Sequence, residues 1–278
     1  MGIDPQIQEP ARPTSMELRH LSWSGLQTYQ TCPRRFYYRY IAGVPEESRS
    51  AALVFGSAIH KAIESIHEAR IAGEMIPAIP ALLAAHDKEW SDASQNGPEI
   101  VFANKESAAT LRELAQRMLE AYREHVVSER GEVIGIEHEA LFRMLSDAPP
   151  LKARIDLLEK MNGDLTVTDF KTSRSRWSES KIRESVPQLI VYARAAMPIL
   201  RELGAKRIRT RFVVLIKARR PVVQIVEPQA TTDDEVRLKT LVAETWHAIK
   251  QNAFLRREGW QCAQCSFAQR CLGHGVTH

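Results

Sequence analysis

The sequence has no apolar run long enough to span a bilayer, and its first residues lack the apolar centre of a signal peptide. No membrane contact is expected, and a cytoplasmic location is. There is no internal repeat and no low-complexity tract beyond a Pro-rich leader. There is no GxxxxGK[ST] phosphate loop either, so the chain carries no helicase motor of that kind. Neither sign of charge dominates: 38 Lys and Arg against 34 Asp and Glu leave +4, which permits nucleic-acid contact without arguing for it. Cysteine is scarce, four in 278 residues, and in a reducing compartment disulfides are not its default use. What remains is ordinary: 44% hydrophobic residues, enough for one large domain or a core with an elaboration.

Residues 1–15 (MGIDPQIQEPARPTS) read as a mobile leader. "SWSGLQTYQTCPRRFYYRY" reads as a helix interrupted near Cys32-Pro33, because proline cannot sit in a helix interior. Helical patterns follow over 51–72, 78–91 and 105–129, then a strand over 132–145 and a hairpin. The helical pattern of 179–203 is expected to break at Pro187 and Pro198. "RIRTRFVVLIKA" and "PVVQIVEP" are strands, and Thr232-x-x-Glu235 reads as a capping box for a last helix. A helical N-terminal half thus precedes an αβββαββα core, an α/β protein with a small mixed sheet flanked by helices.

The hairpin is "KARIDLLEKMNGDLTVTDFKTS". Asn162-Gly163 suits a type I′ turn, whose two central positions want φ > 0. Folded about it, Asp156 falls opposite Asp169, and Arg154 opposite Lys171. Like charges so placed repel, and a cation between them is the simplest remedy. Asp169 and Lys171 alternate onto one face. Two carboxylates and an ammonium suit a hard divalent ion, Mg²⁺ or Mn²⁺, and phosphodiester hydrolysis. The plainer reading is a solvated face neutralised by Lys171 and Arg154.

Gly56, His60 and Glu64 share a helix face at every fourth residue, and Gln188 and Tyr192 stand one turn apart. Ser185-x-x-Gln188 also reads as a capping box around Pro187. Cys262-x2-Cys265-x5-Cys271 near the C-terminus, with Cys32 far upstream, suits zinc or an iron–sulfur cluster. "PRRFYYRY" interleaves Arg34, Arg35 and Arg39 with aromatics. Such a pattern either holds single strands by stacking and phosphate contact or puts its aromatics in a core. "KARR" (217–220) is a second basic candidate or a plain turn.

"RIDLLEKMNGDLTVTDFKTS" resembles the G-x-x-D…(D/E)-x-K hairpin of the PD-(D/E)XK nuclease superfamily, in its RecB-like branch. "FGSAIHKAIE" is similar to that branch's G-x-x-x-H helix, "PQLIVYA" to its Q-x-x-x-Y motif, and "LSWSGLQTYQTCPRRFYYRYIAGV" to its cysteine-bearing N-terminal segment. "CAQCSFAQRC" resembles the ending shared by the AddB nuclease domain and the four-cysteine CRISPR-associated nucleases. Ala153 stands where the family often has glycine, and 73–130 is the least family-like stretch.

The resemblance implies a restriction-endonuclease-like core over 132–257, after a helical part over 16–131 that carries Cys32 and His60. It implies a cysteine segment over 258–278 packing back on that part. Asp156, Asp169 and His60 would be metal ligands, Lys171 the catalytic lysine, Gln188 and Tyr192 residues bordering the site, and Glu137 a supporting acid. Cys32, Cys262, Cys265 and Cys271 would hold a structural [4Fe–4S] cluster, while Arg34 and Arg35 would meet DNA. The implied activity is a DNA exonuclease on single-stranded ends, in repair, recombination or CRISPR adaptation, with a helicase or adaptation partner. Two alternatives stay open: a catalytically silent DNA-binding or scaffold subunit of a larger complex, and a zinc-stapled hydrolase of RNA or another phosphodiester.

Overall fold

The computed structural model describes residues 18–128 and 131–273; the expected leader lies outside the described residues. The N-terminal segment forms β1 (Leu21–Ser22), α1 (Trp23–Thr31), α2 (Pro33–Phe36) and a π-helical turn over Tyr37–Ile41. The break falls where proline dictates: Cys32 is extended, and Pro33 opens α2, where its missing N–H costs nothing. Next come β2 (Ser48–Ser50), α3 (Ala51–Ala72), α4 (Ile79–Asn96), β3 (Glu99–Val101) and α5 (Ala108–Val127). Gly73, at φ 69°, ends α3 in the left-handed conformation that a side chain resists.

The core runs β4 (Glu132–Phe142), β5 (Leu151–Met161), β6 (Asp164–Ser173), α6 (Glu179–Glu202), β7 (Ile208–Ile216), β8 (Val222–Val226) and α7 (Thr232–Lys250). Strand order is β4-β5-β6-β7-β8; β6 and β7 are parallel across the α6 crossover, and the other pairs among these five strands are antiparallel. α1, α6, α7 and the aromatic turn bury Leu26, Phe36, Val191 and Val242 against one face of the sheet. α3, α4 and α5 bury Phe55, Ile59, Leu82 and Leu119 against the other. Central β7 is covered on both faces and is apolar throughout Phe212–Ile216.

Two expectations are corrected. α6 is continuous, with Pro187 and Pro198 inside it. Burial of Val186, Leu189, Ile190, Val191, Ala195 and Ala196 against the sheet outweighs the lost backbone hydrogen bonds. Ser185 therefore caps nothing; its hydroxyl donates to the Lys181 carbonyl within the helix. The α7 capping box is Thr231 with Asp234, one residue earlier than expected. Thr231-Thr232 and Asp234-Glu235 offer two equivalent frames, and the structure uses the first.

On the α3 side lies a buried ionic network. Glu159, fully buried, accepts from Arg70 at 2.9 Å and from Arg211 at 2.8 Å. Arg211 also donates to Thr168, and Arg70 to the Gly131 carbonyl. This fixes β5 and β6 to α3 just beyond the site described next.

Candidate active site

Asn162 (φ 54°) and Gly163 (φ 83°) make the expected turn, and the β5–β6 ladder runs from Met161–Asp164 to Leu157–Thr168. There it stops, so Arg154 does not pair with Lys171 across a ladder as expected. A strand has two edges, and β4 takes one edge of β5 from Leu151 to Lys160. β6 must then share the other with β1, which pairs in parallel at Leu151 and Lys152. Residues 153–156 lie between the two ladders.

The backbone slips at this gap. Ile155 packs with the α6-side core but Leu157 with the α3-side core, and on β4 Ala140 and Ile136 do the same. Between them Glu137 takes φ 50°, uncommon for a non-glycine residue. Such irregularities re-aim side chains. Here they bring Glu137 and Asp156 together with His60 of α3, their ligand atoms all within 4.8 Å of one another.

Asp156 Oδ2 accepts from the Phe170 backbone N–H at 2.7 Å and lies 3.6 Å from His60 Nδ1. Burial, then the neighbouring Asp169, pushes its carboxyl well above the usual carboxylate range. His60 keeps 30% of its side chain exposed, yet desolvation pushes its pKa down to about 4, against the opposing pull of Asp169. The imidazole is therefore neutral, with a lone pair to offer. Arg154 pairs with Glu137. Even so, burial raises the pKa of Glu137.

Asp169 is almost fully buried. Its Oδ1 accepts from Gln188 Nε2 at 2.9 Å, and the same nitrogen donates to Tyr192 Oη at 2.9 Å. Lys171 Nζ stands 2.7 Å from Oδ2, but off the angle of a hydrogen bond, which leaves that buried oxygen without one. Oxygen donors from Asp156 and Glu137 and a neutral imidazole from His60 fit a divalent cation. Asp169 is outside the three-donor group and reaches the site beside it.

Two openings lead here. A cleft of about 1380 Å³ runs between α3 and the C-terminal segment, and another of about 660 Å³ lies between α1 and α6. Both are lined by Arg154, Lys171, Thr172 and Tyr192. Lys217 also borders the larger cleft, 4.4 Å above the Phe55 ring, while Arg219 and Arg220 of "KARR" are exposed.

The four cysteines line one small cavity. Cys262 and Cys265 come from a 3-10 turn over Trp260–Gln264 and the residue after it, and Cys271 from α8 (Ala268–Leu272). Backbone bonds from Arg34 to Leu255 and from Glu47 to Ser266 bind the chain's two ends together. Burial raises the thiol pKa of Cys265 and of Cys271, and nearby thiols add to it. Soft thiolate donors converging from both ends fit a metal cluster. Phe36, Tyr37 and Tyr38 are buried, so the aromatics of "PRRFYYRY" serve mainly the core. Arg34 lies 5.9 Å over the Tyr37 ring. Arg35 lines both the cysteine cavity and the larger cleft, and its Nε is buried without a hydrogen-bond partner.

The α5–β4–β5–β6–α6–β7 order, with carboxylates and a lysine where the central strands part, defines a restriction-endonuclease-like α/β protein. The family model of the PD-(D/E)XK nuclease superfamily matches residues 20–272, and the chain belongs to that superfamily. A crystal structure from Eubacterium rectale named "Putative exonuclease" is similar in fold, with a TM-score of 0.54 and 13% identity over 96% of this chain and 97% of that one. Another, SSO0001, is 14% identical over 83% of this chain and 89% of that one, with a TM-score of 0.30. No curated protein matches. No described helix is long and apolar enough to cross a membrane.

The sequence pattern leaves Arg154 and Trp260 out of the candidate site residues: Arg154 carries the signal of a further charge beside Asp156, Asp169 and Lys171, while nothing marks Trp260.

Proposed function

We propose that this protein is a metal-dependent DNA nuclease of the RecB-like branch, an exonuclease on single-stranded ends, with a [4Fe–4S] cluster on Cys32, Cys262, Cys265 and Cys271. The observation that carries the catalytic reading is the buried Asp169, its Oδ2 ion-paired with Lys171 Nζ at 2.7 Å, beside the group of His60, Glu137 and Asp156. Asp156, His60 and Glu137 would hold Mg²⁺ or Mn²⁺ with Asp169 beside them. When bound, the ion supplies Lewis acidity toward a phosphoryl oxygen and lowers the pKa of water.

Lys171 lies at the mouth of both openings, where its ammonium offsets charge developing on the phosphate. Gln188 holds Asp169 in place, with Tyr192 behind it. Arg35, which lines the cleft, would take a strand phosphate through its terminal nitrogens, with Arg34 next to it. The cluster is favoured over zinc because the sequence has one C-x-x-C knuckle where zinc ribbons usually have two, and its fourth cysteine, Cys32, is remote. The cluster would fasten the 258–278 segment to the N-terminal part. Repair, recombination or CRISPR adaptation in the cytoplasm, alongside a helicase or adaptation partner, is the setting the family resemblance implies.

The test is digestion of end-labelled single-stranded DNA, double-stranded DNA and RNA with Mn²⁺, Mg²⁺ or EDTA, comparing wild type with Lys171→Ala. Cleavage of single-stranded DNA that needs metal and disappears in the variant is expected. DNA binding with no cleavage in either protein would favour the scaffold subunit instead.

A further inference from the structure

Tryptophan is costly to leave in water, and four of the five here are at least partly covered. Trp23 is buried in the core, Trp90 stacks near His86, Trp177 packs on Phe212, and Trp246 donates to the Asp147 carbonyl. Trp260 differs: it is 89% exposed, with neither a ring contact nor a hydrogen bond. Yet it does not sit on a random surface. It opens the 3-10 turn that carries Cys262 and lines the larger cleft together with Gln261 and Gln264. The same cleft holds Asp156, Asp169 and Lys171.

Its support is firm. Cys262 N–H donates to the Gly259 carbonyl, and Gln261 Nε2 donates to the Arg257 carbonyl at 2.8 Å. Arg256 ties the stretch to the Cys271 carbonyl. A large flat ring is thus held open to solvent inside a cleft that also carries Arg35, Lys61 and Lys217. Aromatic faces beside basic groups bind unpaired bases without regard to sequence. A base inside a duplex has both faces covered by its stacked neighbours.

We propose that Trp260 is a stacking platform for one unpaired base of the strand bound in the larger cleft. The inference rests on the nuclease reading and names what that reading leaves open, the part of the strand the cysteine segment grips. It also gives that segment a share in substrate binding, since the turn that carries Cys262 carries the platform.

The test is equilibrium binding of a fluorescent oligothymidylate in EDTA to wild type, Trp260→Phe and Trp260→Ala. A parallel series uses strands with one abasic position moved stepwise from the labelled end. Trp260→Ala should weaken binding about tenfold, while phenylalanine retains most of the affinity. One abasic position should cost wild type a similar factor and cost Trp260→Ala nothing further. Wild-type affinity in Trp260→Ala would overturn the proposal, as would an abasic penalty undiminished in that variant. Thermal unfolding identical to wild type excludes a folding defect. Wild type that neither binds nor cuts DNA would sink the nuclease reading itself. Wild type that binds and cuts, with an unaltered Trp260→Ala, would sink only the platform.

Discussion

The Phe170 backbone N–H donates to Asp156 Oδ2 at 2.7 Å at the point where the β5–β6 ladder ends. A carboxylate takes the place of a strand carbonyl; that bond favours its charged form, but burial and then Asp169 oppose it more strongly. Without metal, Asp156→Asn should therefore stabilise the fold. Relief of about 1 kcal/mol corresponds to roughly 2–4 °C in a protein of this size. The variant should also lose the stabilisation that Mn²⁺ gives wild type, and cleavage should fall at least about 100-fold. Calorimetric melts with Mn²⁺ and with EDTA check the first two effects.

Gln188 joins Asp169 Oδ1 to Tyr192 Oη. Removing it with Gln188→Ala should leave the carboxylate free to turn and lower cleavage about 10- to 100-fold, the usual cost of losing a group that orients a ligand. Tyr192→Phe, which keeps the ring and the Gln188–Asp169 bond, should lose less. Single-turnover rates at matched metal concentration separate the two.

Glu159 is fully buried between Arg70 and Arg211. Deleting it leaves two guanidinium groups without their anion, so Glu159→Ala should destabilise the fold by about 3–5 kcal/mol. Urea unfolding measures this. Glu159→Gln, which can still accept hydrogen bonds, should fall between the variant and wild type.

With an iron–sulfur cluster at the four cysteines, anaerobically purified protein should be brown and contain iron and inorganic sulfide in equal amounts. Cys265→Ser should lose both. The segment between Cys32 and Glu47 should then become sensitive to protease, because closing so long a loop depends on that junction. Zinc in place of iron would contradict the assignment.

Much of this fold is legible in the sequence because its strongest signals are local. Asn-Gly forces the turn, alternation sets the faces of β6, and proline marks the start of α2. The misjudged breaks in α6 follow from treating proline locally, when the apolar stripe against the sheet decides. Glu137 shows a different limit. Its position in the group with His60 and Asp156 depends on a left-handed backbone inside a strand, which no residue pattern announces. Cys32 and the C-terminal cysteines could be paired only through a resemblance, since distance along the chain gives no hint of closeness in space.

β1 and β6 occupy the same edge of β5, one on each side of the unpaired stretch. That opening is stitched at both ends, like a buttonhole. Sliding β6 by one residue would break its ladder with β7 as well, so the carboxylates have no register to slip into. The spacing of the carboxylates is thus a property of the strand register, held by three neighbouring strands at once.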